Sequence, residues 1–275
     1  MQVKSHAVEP HQVADDTFVI GQLSQPPGAP VGVYLNSAVI RAQEPVIVDT
    51  GTKLNRDQWL EDAFSLVDPG DVRWIYLSHD DHDHVGNLEP VLEQCPQATL
   101  VSTWFMCERL GADFDLPLDR MRWLNDGESF HAGDRTLTAV RPPLFDSPTT
   151  RGLFDDRTGF YWAVDCFASV QPEPRVEAAD VDRDQWVEGF AINRVNSPWH
   201  QWLDAKKFGA HVDRVQSLGI SAIGSAHGPA LHGEMIDEAF RLVREVPYQE
   251  APPLPGQADL DAMVAAMAEA HQLVA

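Results

Sequence analysis

The stretch Ser78-His79-Asp80-Asp81-His82-Asp83-His84 constrains the chain more than any other, because its six consecutive ionisable side chains cannot enter an apolar core. It follows Val72-Arg73-Trp74-Ile75-Tyr76-Leu77, rich in β-branched and aromatic residues, and precedes Val85-Gly86-Asn87-Leu88, which opens a helical pattern. The cluster is thus displayed at the carboxyl end of a strand, where open α/β sheets put their sites. Imidazoles and carboxylates at alternate positions turn several donor atoms toward one point, as a metal ion requires. A solvated acidic turn with incidental histidines is the plain alternative. The rest of the sequence decides between them.

With 275 residues, 44% of them hydrophobic, the chain can build a core. Its 20 basic against 42 acidic residues give a formal charge of -22, spread along the chain. Such a surface repels phosphate backbones and anionic lipid, which argues against nucleic acid or membrane partners. Met1-Gln2-Val3-Lys4-Ser5-His6 lacks the apolar run of a signal peptide, and no stretch has the length of a membrane span, so a cytoplasmic protein is expected. Cys95, Cys107 and Cys166 are odd in number and widely spaced. They read as buried thiols in a reducing compartment, neither a disulfide framework nor a thiolate metal site.

Segments 18–21, 31–40 and 45–51 read as strands, the first two separated by Ser24-Gln25-Pro26-Pro27-Gly28-Ala29-Pro30. Residues 56–67 carry apolar side chains at helical spacing and stop before Asp68-Pro69-Gly70. After the cluster, helix 85–94, strand 98–101 and helix 103–110 alternate, the mark of βαβ crossovers. From 121 to 168 the pattern turns to short β segments (121–124, 136–140, 159–164), expected to form a second sheet. Segment 171–185 reads as an acidic surface loop with frayed helix, 199–218 as a helix, 220–224 as a strand and 233–246 as a core helix. The domain expected is residues 1–246, followed in 247–275 by a Pro-rich linker and an amphipathic helix over 259–274.

Three later side chains match the cluster in kind. Asp146 follows Pro142-Pro143-Leu144-Phe145, Asp165 ends Phe160-Tyr161-Trp162-Ala163-Val164, and His227 lies in Gly224-Ser225-Ala226-His227-Gly228-Pro229. Each stands at a strand end, and together they converge if those ends share one edge. Asp80 and His82 alternate with the candidate ligands and should point away, to solvent or to a supporting role. Asp49, in Val46-Ile47-Val48-Asp49-Thr50-Gly51, is expected to fix the cluster loop by hydrogen bonds. His200 reads as a packed histidine, in a segment able to wall a pocket. No nucleophile elbow, Walker loop or dinucleotide fingerprint is present, and no bound flavin or nucleotide is expected.

The order of Val46 to Gly51, Ser78-His79-x-Asp81-x-Asp83-His84-x-Gly86, Asp165 and Ala226-His227-Gly228-Pro229 resembles the metallo-β-lactamase fold superfamily over residues 18–246. The zinc hydrolases of that superfamily carry H-x-H-x-D-H; Asp81 at the second His position resembles instead its oxygen-binding di-iron branch, the flavodiiron proteins. The resemblance implies a four-layer αβ/βα sandwich of α/β (α+β) class. It assigns one metal to His79, Asp81 and Asp146, a second to Asp83, His84 and His227, with Asp165 bridging. Asp146 departs from the family, which has His there; His131 is the alternative ligand.

Carboxylate-rich donor sets suit iron or manganese, whereas zinc favours nitrogen and sulfur; two metal ions with iron favoured over zinc or manganese are therefore expected. The function implied is a di-iron oxidoreductase or oxygen-binding protein acting on O2, NO or a small organic molecule. A hydrolase using a metal-bound hydroxide on an ester, lactone, thioester or phosphoester, and a degenerate metal-binding or sensor protein, are the alternatives. Flavodiiron enzymes carry a flavodoxin domain after this core, where the present chain has a linker and a helix. A separate electron-donor protein is therefore expected, and a homodimer is the preferred assembly.

Overall fold

The structure, a computed structural model of the protein, describes residues 3–26 and 29–272. The first sheet runs in chain order through β1 (Lys4–Ala14), β2 (Thr17–Gln25), β3 (Val33–Ile40), β4 (Val46–Val48), β5 (Trp74–Tyr76), β6 (Thr99–Ser102) and β7 (Met121–Trp123). Strands β1 to β4 pair antiparallel and β4 to β7 parallel. The parallel members are short apolar runs because helices cover their outer face. Those helices are α1 (Arg56–Leu66), α2 (His82–Val85), α3 (Leu88–Gln94) and α4 (Trp104–Leu110). Thr103 caps α4 by accepting from the Met106 amide.

The second sheet contains β8 (Ser129–His131), β9 (Thr136–Val140), β10 (Gly152–Asp155), β11 (Phe160–Trp162), β12 (Ala222–Gly224) and β13 (Leu231–His232), ordered β13-β12-β11-β10-β9-β8. Its outer face carries α5 (Arg183–Phe190), α6 (Ile192–Asn196), α7 (Ala205–Gln216) and α8 (Glu234–Glu245). Three apolar clusters follow from four layers: Val48, Tyr76, Leu137 and Trp162 between the sheets, Trp59, Val91 and Leu110 under the first helices, and Trp186, Val212 and Phe240 under the second set. Each fully buried side chain of this size contributes roughly 1.5–3 kcal/mol. The expected αβ/βα sandwich is the fold observed.

Four details depart from the sequence reading. Strand β1 was not expected; Pro10 and a mixed polar pattern hide it, and both are tolerated because β1 is an edge strand with an irregular register around residues 8–11. Residues 121–124 do not begin the second sheet, since β7 extends the first by pairing with β6. The helix expected over 199–218 is broken: Pro198–Trp202 forms a 3-10 turn, and Asp204 starts α7 afresh by accepting from the Lys206 and Lys207 amides. Gln171, placed in a surface loop, is buried and exchanges backbone hydrogen bonds with Gly32.

The final helix, α9 (Gln257–Gln272), begins two residues before the expected start; the remainder of that expectation, residues 273–274, lies outside the described residues, as do Pro27 and Gly28 of the first turn. Leu260, Met263 and Met267 of α9 face Pro26, Ala29 and Pro30 across an open apolar groove. No helix among the described residues is long and apolar enough to cross a membrane.

Candidate metal centre

The carboxyl ends of β4, β5, β11 and β12, with the turn after β9, bring Asp49, the His79–His84 cluster, Asp165, His227 and Asp146 to one edge of the sandwich. The local backbone is tightly specified. Gly51 takes φ +62°, and a Cβ on Gly86 would lie 2.7 Å from the Gly51 carbonyl oxygen, so the two loops meet where only glycine fits. Asp49, Val164 and Phe167 adopt left-handed φ of 60°, 57° and 62°. For a β-branched valine this conformation is strained, and such strain gathers at functional sites held by their surroundings.

Two groups of donor atoms result. His79 Nε2 lies 3.3 Å from Asp81 Oδ2, 3.3 Å from Asp146 Oδ1 and 3.9 Å from Asp165 Oδ2. Asp165 Oδ1 lies 3.1 Å from His84 Nε2 and 2.9 Å from His227 Nε2, with Asp83 Oδ2 at 3.8 and 3.5 Å from those nitrogens. Every one of the seven predicted residues is in the constellation. His131 is not: it lies exposed on the edge strand β8, 3.4 Å from Thr136 Oγ1.

The three imidazoles are each fixed from behind through Nδ1. His84 Nδ1 lies 2.9 Å from Asp49 Oδ2, His227 Nδ1 donates to the Tyr34 carbonyl at 2.7 Å, and His79 Nδ1 faces Asp80 Oδ1 at 3.4 Å. With Nδ1 turned to these acceptors, Nε2 is the nitrogen presented to the shared space. Asp49 also accepts from the Ser78 amide (2.7 Å), the Ser78 hydroxyl (2.5 Å) and the Trp162 indole (3.1 Å), the loop-fixing role expected of it. Asp80 is held by Arg109 and by the Thr149 hydroxyl (2.6 Å), so it supports His79 instead of meeting solvent.

Burial works against charge on His79, yet the Asp146 and Asp81 carboxylates override it and push its pKa up to about 10. His84 is raised well above its ordinary value, burial being outweighed by Asp49, Asp165 and Asp83; Asp165 is held well below the carboxylate range because His84 and His227 outweigh its burial. Four carboxylates make this space strongly favourable to positive charge.

The donor set fits a pair of metal ions on a further observation. His79 Nε2 and Asp165 Oδ2, both deeply buried, have no hydrogen-bond partner, a costly state for polar atoms unless something else satisfies them. Among the described residues three groups lie close enough to hold a cation: His79, Asp146 and Asp165; His79, Asp80 and Asp81; and Asp83, His84 and His227. Asp81 and Asp146 have side chains 54% and 29% exposed against 4% for Asp165, so they stand at the mouth and Asp165 at the floor.

One supporting element was invisible in the sequence. The Trp199 indole donates to the Phe145 carbonyl at 2.6 Å and its ring packs on Phe145, pinning the turn that presents Asp146. Trp199→Phe is expected to weaken metal binding at the His79 half by roughly tenfold, in the range of lost supporting contacts. A calorimetric titration reads this directly; unchanged affinity would show that the turn holds itself.

The four-layer sandwich is the metallo-β-lactamase-like fold also seen in the solved flavodiiron protein of Giardia intestinalis, with a TM-score of 0.74 at 18% identity, covering 87% of this chain and 59% of that one. It superimposes on the rubredoxin:oxygen oxidoreductase of Desulfovibrio gigas with a TM-score of 0.75 at 15% identity, covering 87% of this chain and 62% of that one. Residues 33–228 match the model of the ODP family beta lactamase, and the chain belongs to that family. Among curated relatives, a putative diflavin flavoprotein A 1 of Nostoc is 25% identical over 204 residues, 73% of this chain and 34% of the relative. The anaerobic nitric oxide reductase flavorubredoxin of Salmonella arizonae is 22% identical over 158 residues, 57% and 33% respectively. The chain spans about a third of the length of the curated relatives it matches.

Proposed function

We propose that the protein is a di-iron oxidoreductase that reduces a diatomic ligand, O2 or NO, at the edge centre. The observation that carries the reading is Asp165, whose two oxygens face separate imidazole groups, as a bridging carboxylate does. His79, Asp81 and Asp146 would hold one ion and Asp83, His84 and His227 the other. When bound, a ferrous pair supplies open coordination positions and reducing electrons to the ligand. The residues provide the rest: Nδ1 partners orient the imidazoles, and the buried floor at Asp165 limits water on one side. The relatives' names, a nitric oxide reductase and an oxygen oxidoreductase, support the reaction class.

A polar space opens beside the donors. This cavity, of about 450 Å³, is lined by Asp80, Asp81, His82, Asp83, Arg109, Leu110 and Asp113, with Arg109 paired to Asp80 and two of the acids, Asp81 and Asp83, among the proposed metal ligands. A separate electron-donor protein, a homodimer, a catalytic unit of residues 1–246 with 247–275 appended, and a reducing cytoplasmic setting consistent with three unpaired buried cysteines belong to the same reading.

Iron-loaded, chemically reduced protein is expected to consume O2 or NO at an electrode, with turnover abolished by removing the metal with a chelator. Inert iron-loaded protein whose zinc-loaded form cleaves generic esters would replace this function with hydrolysis.

A further inference from the structure

The two halves of the centre differ in chemistry. Around His79 Nε2 gather three carboxylates, those of Asp81, Asp146 and Asp165, so that half offers one nitrogen and three oxygens. The other half offers two nitrogens, from His84 and His227, with oxygens from Asp83 and Asp165. The supports behind the imidazoles add to the difference. Asp49 behind His84 is met only by neutral donors, Ser78 and Trp162, and leaves its full charge to strengthen that imidazole as a ligand. Asp80 behind His79 is neutralised by Arg109 and further bonded by Thr149. The contacts at His79 Nδ1, from Asp80 Oδ1 and the Thr149 hydroxyl at 3.4 Å and the Thr150 hydroxyl at 3.5 Å, are all longer than the 2.9 Å between Asp49 and His84, which leaves His79 the poorer nitrogen donor.

Both effects act in one direction. Carboxylate oxygen suits manganese and ferric iron, and imidazole suits zinc and ferrous iron. We propose that the centre sorts metals: the His79–Asp81–Asp146 half takes the harder ion, and the Asp83–His84–His227 half takes the nitrogen-seeking one. Asp146 is the main contributor, since a histidine there would give each half two nitrogens. The inference rests on the two-ion reading of the site and is independent of which molecule is reduced.

The test uses the full chain, crystallised after loading with one equivalent each of Mn2+ and Zn2+, with anomalous differences collected on both sides of each metal's absorption edge. Zinc is expected at the His84–His227 half and manganese at the His79 half, their ratio differing between halves by roughly tenfold or more, the scale on which ligand environment changes metal affinity. In Asp146→His the zinc-to-manganese ratios of the two halves are expected to draw together, leaving only the smaller difference set by the Asp49 and Asp80 supports. Equal ratios in the unaltered protein, or the reverse order, overturn the proposal while leaving two ions in place. Fewer than two equivalents bound with both metals in excess overturns the two-ion reading itself, and with it this proposal. The O2 and NO assay of iron-loaded protein bears separately on the reaction.

Discussion

Asp165→Ala is expected to abolish binding of both ions. Its two oxygens serve separate groups: Oδ1 lies within 3.1 Å of His84 and His227, and Oδ2 is the nearest unpartnered buried oxygen to His79. Removing it deprives each half of a donor and leaves three imidazoles facing one another with less compensating charge, since His79 and His84 rings are already 5.1 Å apart. Losing a supporting contact costs roughly 10–100-fold in metal affinity, so losing a donor shared by both halves should cost more than about 100-fold at each. Asp146→Ala is the comparison: it belongs to one half and should release one ion. Elemental analysis after dialysis against iron separates the cases. Two irons retained by Asp165→Ala would remove the bridging role of Asp165 and leave the two ions to the other six ligands.

The edge constellation was legible because several metal-capable side chains recur at strand ends, which a single solvated acidic turn does not explain. A run of acids and histidines after an apolar strand must leave the sheet at its carboxyl end, and Asp165 and His227 end strands in the same way. Convergence then required only that the strand ends share an edge, which the family resemblance supplied. Asp146, the departure from the family pattern, lies 3.3 Å from His79, and the substitute His131 is on a distant edge strand.

What stayed hidden was everything set by tertiary contact. Nothing near Trp199 in sequence announces that it pins Phe145, 54 residues away, and Arg109 lies on α4, far in sequence from the loop that carries the Asp80 it neutralises. The left-handed backbone at Val164 and Phe167 is likewise unreadable, because neither residue type favours it and only the packed surroundings impose it. In the fold, β7 was assigned to the wrong sheet because a three-residue strand carries no mark of its partner. Helix α7 was joined to the turn before it because apolar spacing continues across Asp204 and the cap outweighs it.

Asp49 joins stability to the site, and Asp49→Ala is expected to be the most destabilising single change at this edge. The carboxylate is fully buried and receives the Ser78 amide, the Ser78 hydroxyl, the Trp162 indole and His84 Nδ1. Alanine strands these donors where water does not replace the oxygens, and each unsatisfied buried group costs about 1–3 kcal/mol. Partial relaxation brings the sum to about 3–5 kcal/mol, the range of a broken buried polar network. Its φ of 60° adds about 1 kcal/mol, because alanine tolerates the left-handed region less well than aspartate does. For a chain of this size the melting temperature should fall by roughly 10 °C or more. Asp49→Asn separates the contributions: it tolerates the backbone, keeps an acceptor for Ser78 or Trp162, and loses the anionic support of His84. It is expected to melt within a few degrees of the unaltered protein, on the order of 1 kcal/mol, while binding the His84-half ion roughly tenfold more weakly. If both variants melted alike, the network would owe its strength to charge alone, and if neither changed metal affinity, His84 would be oriented without Asp49.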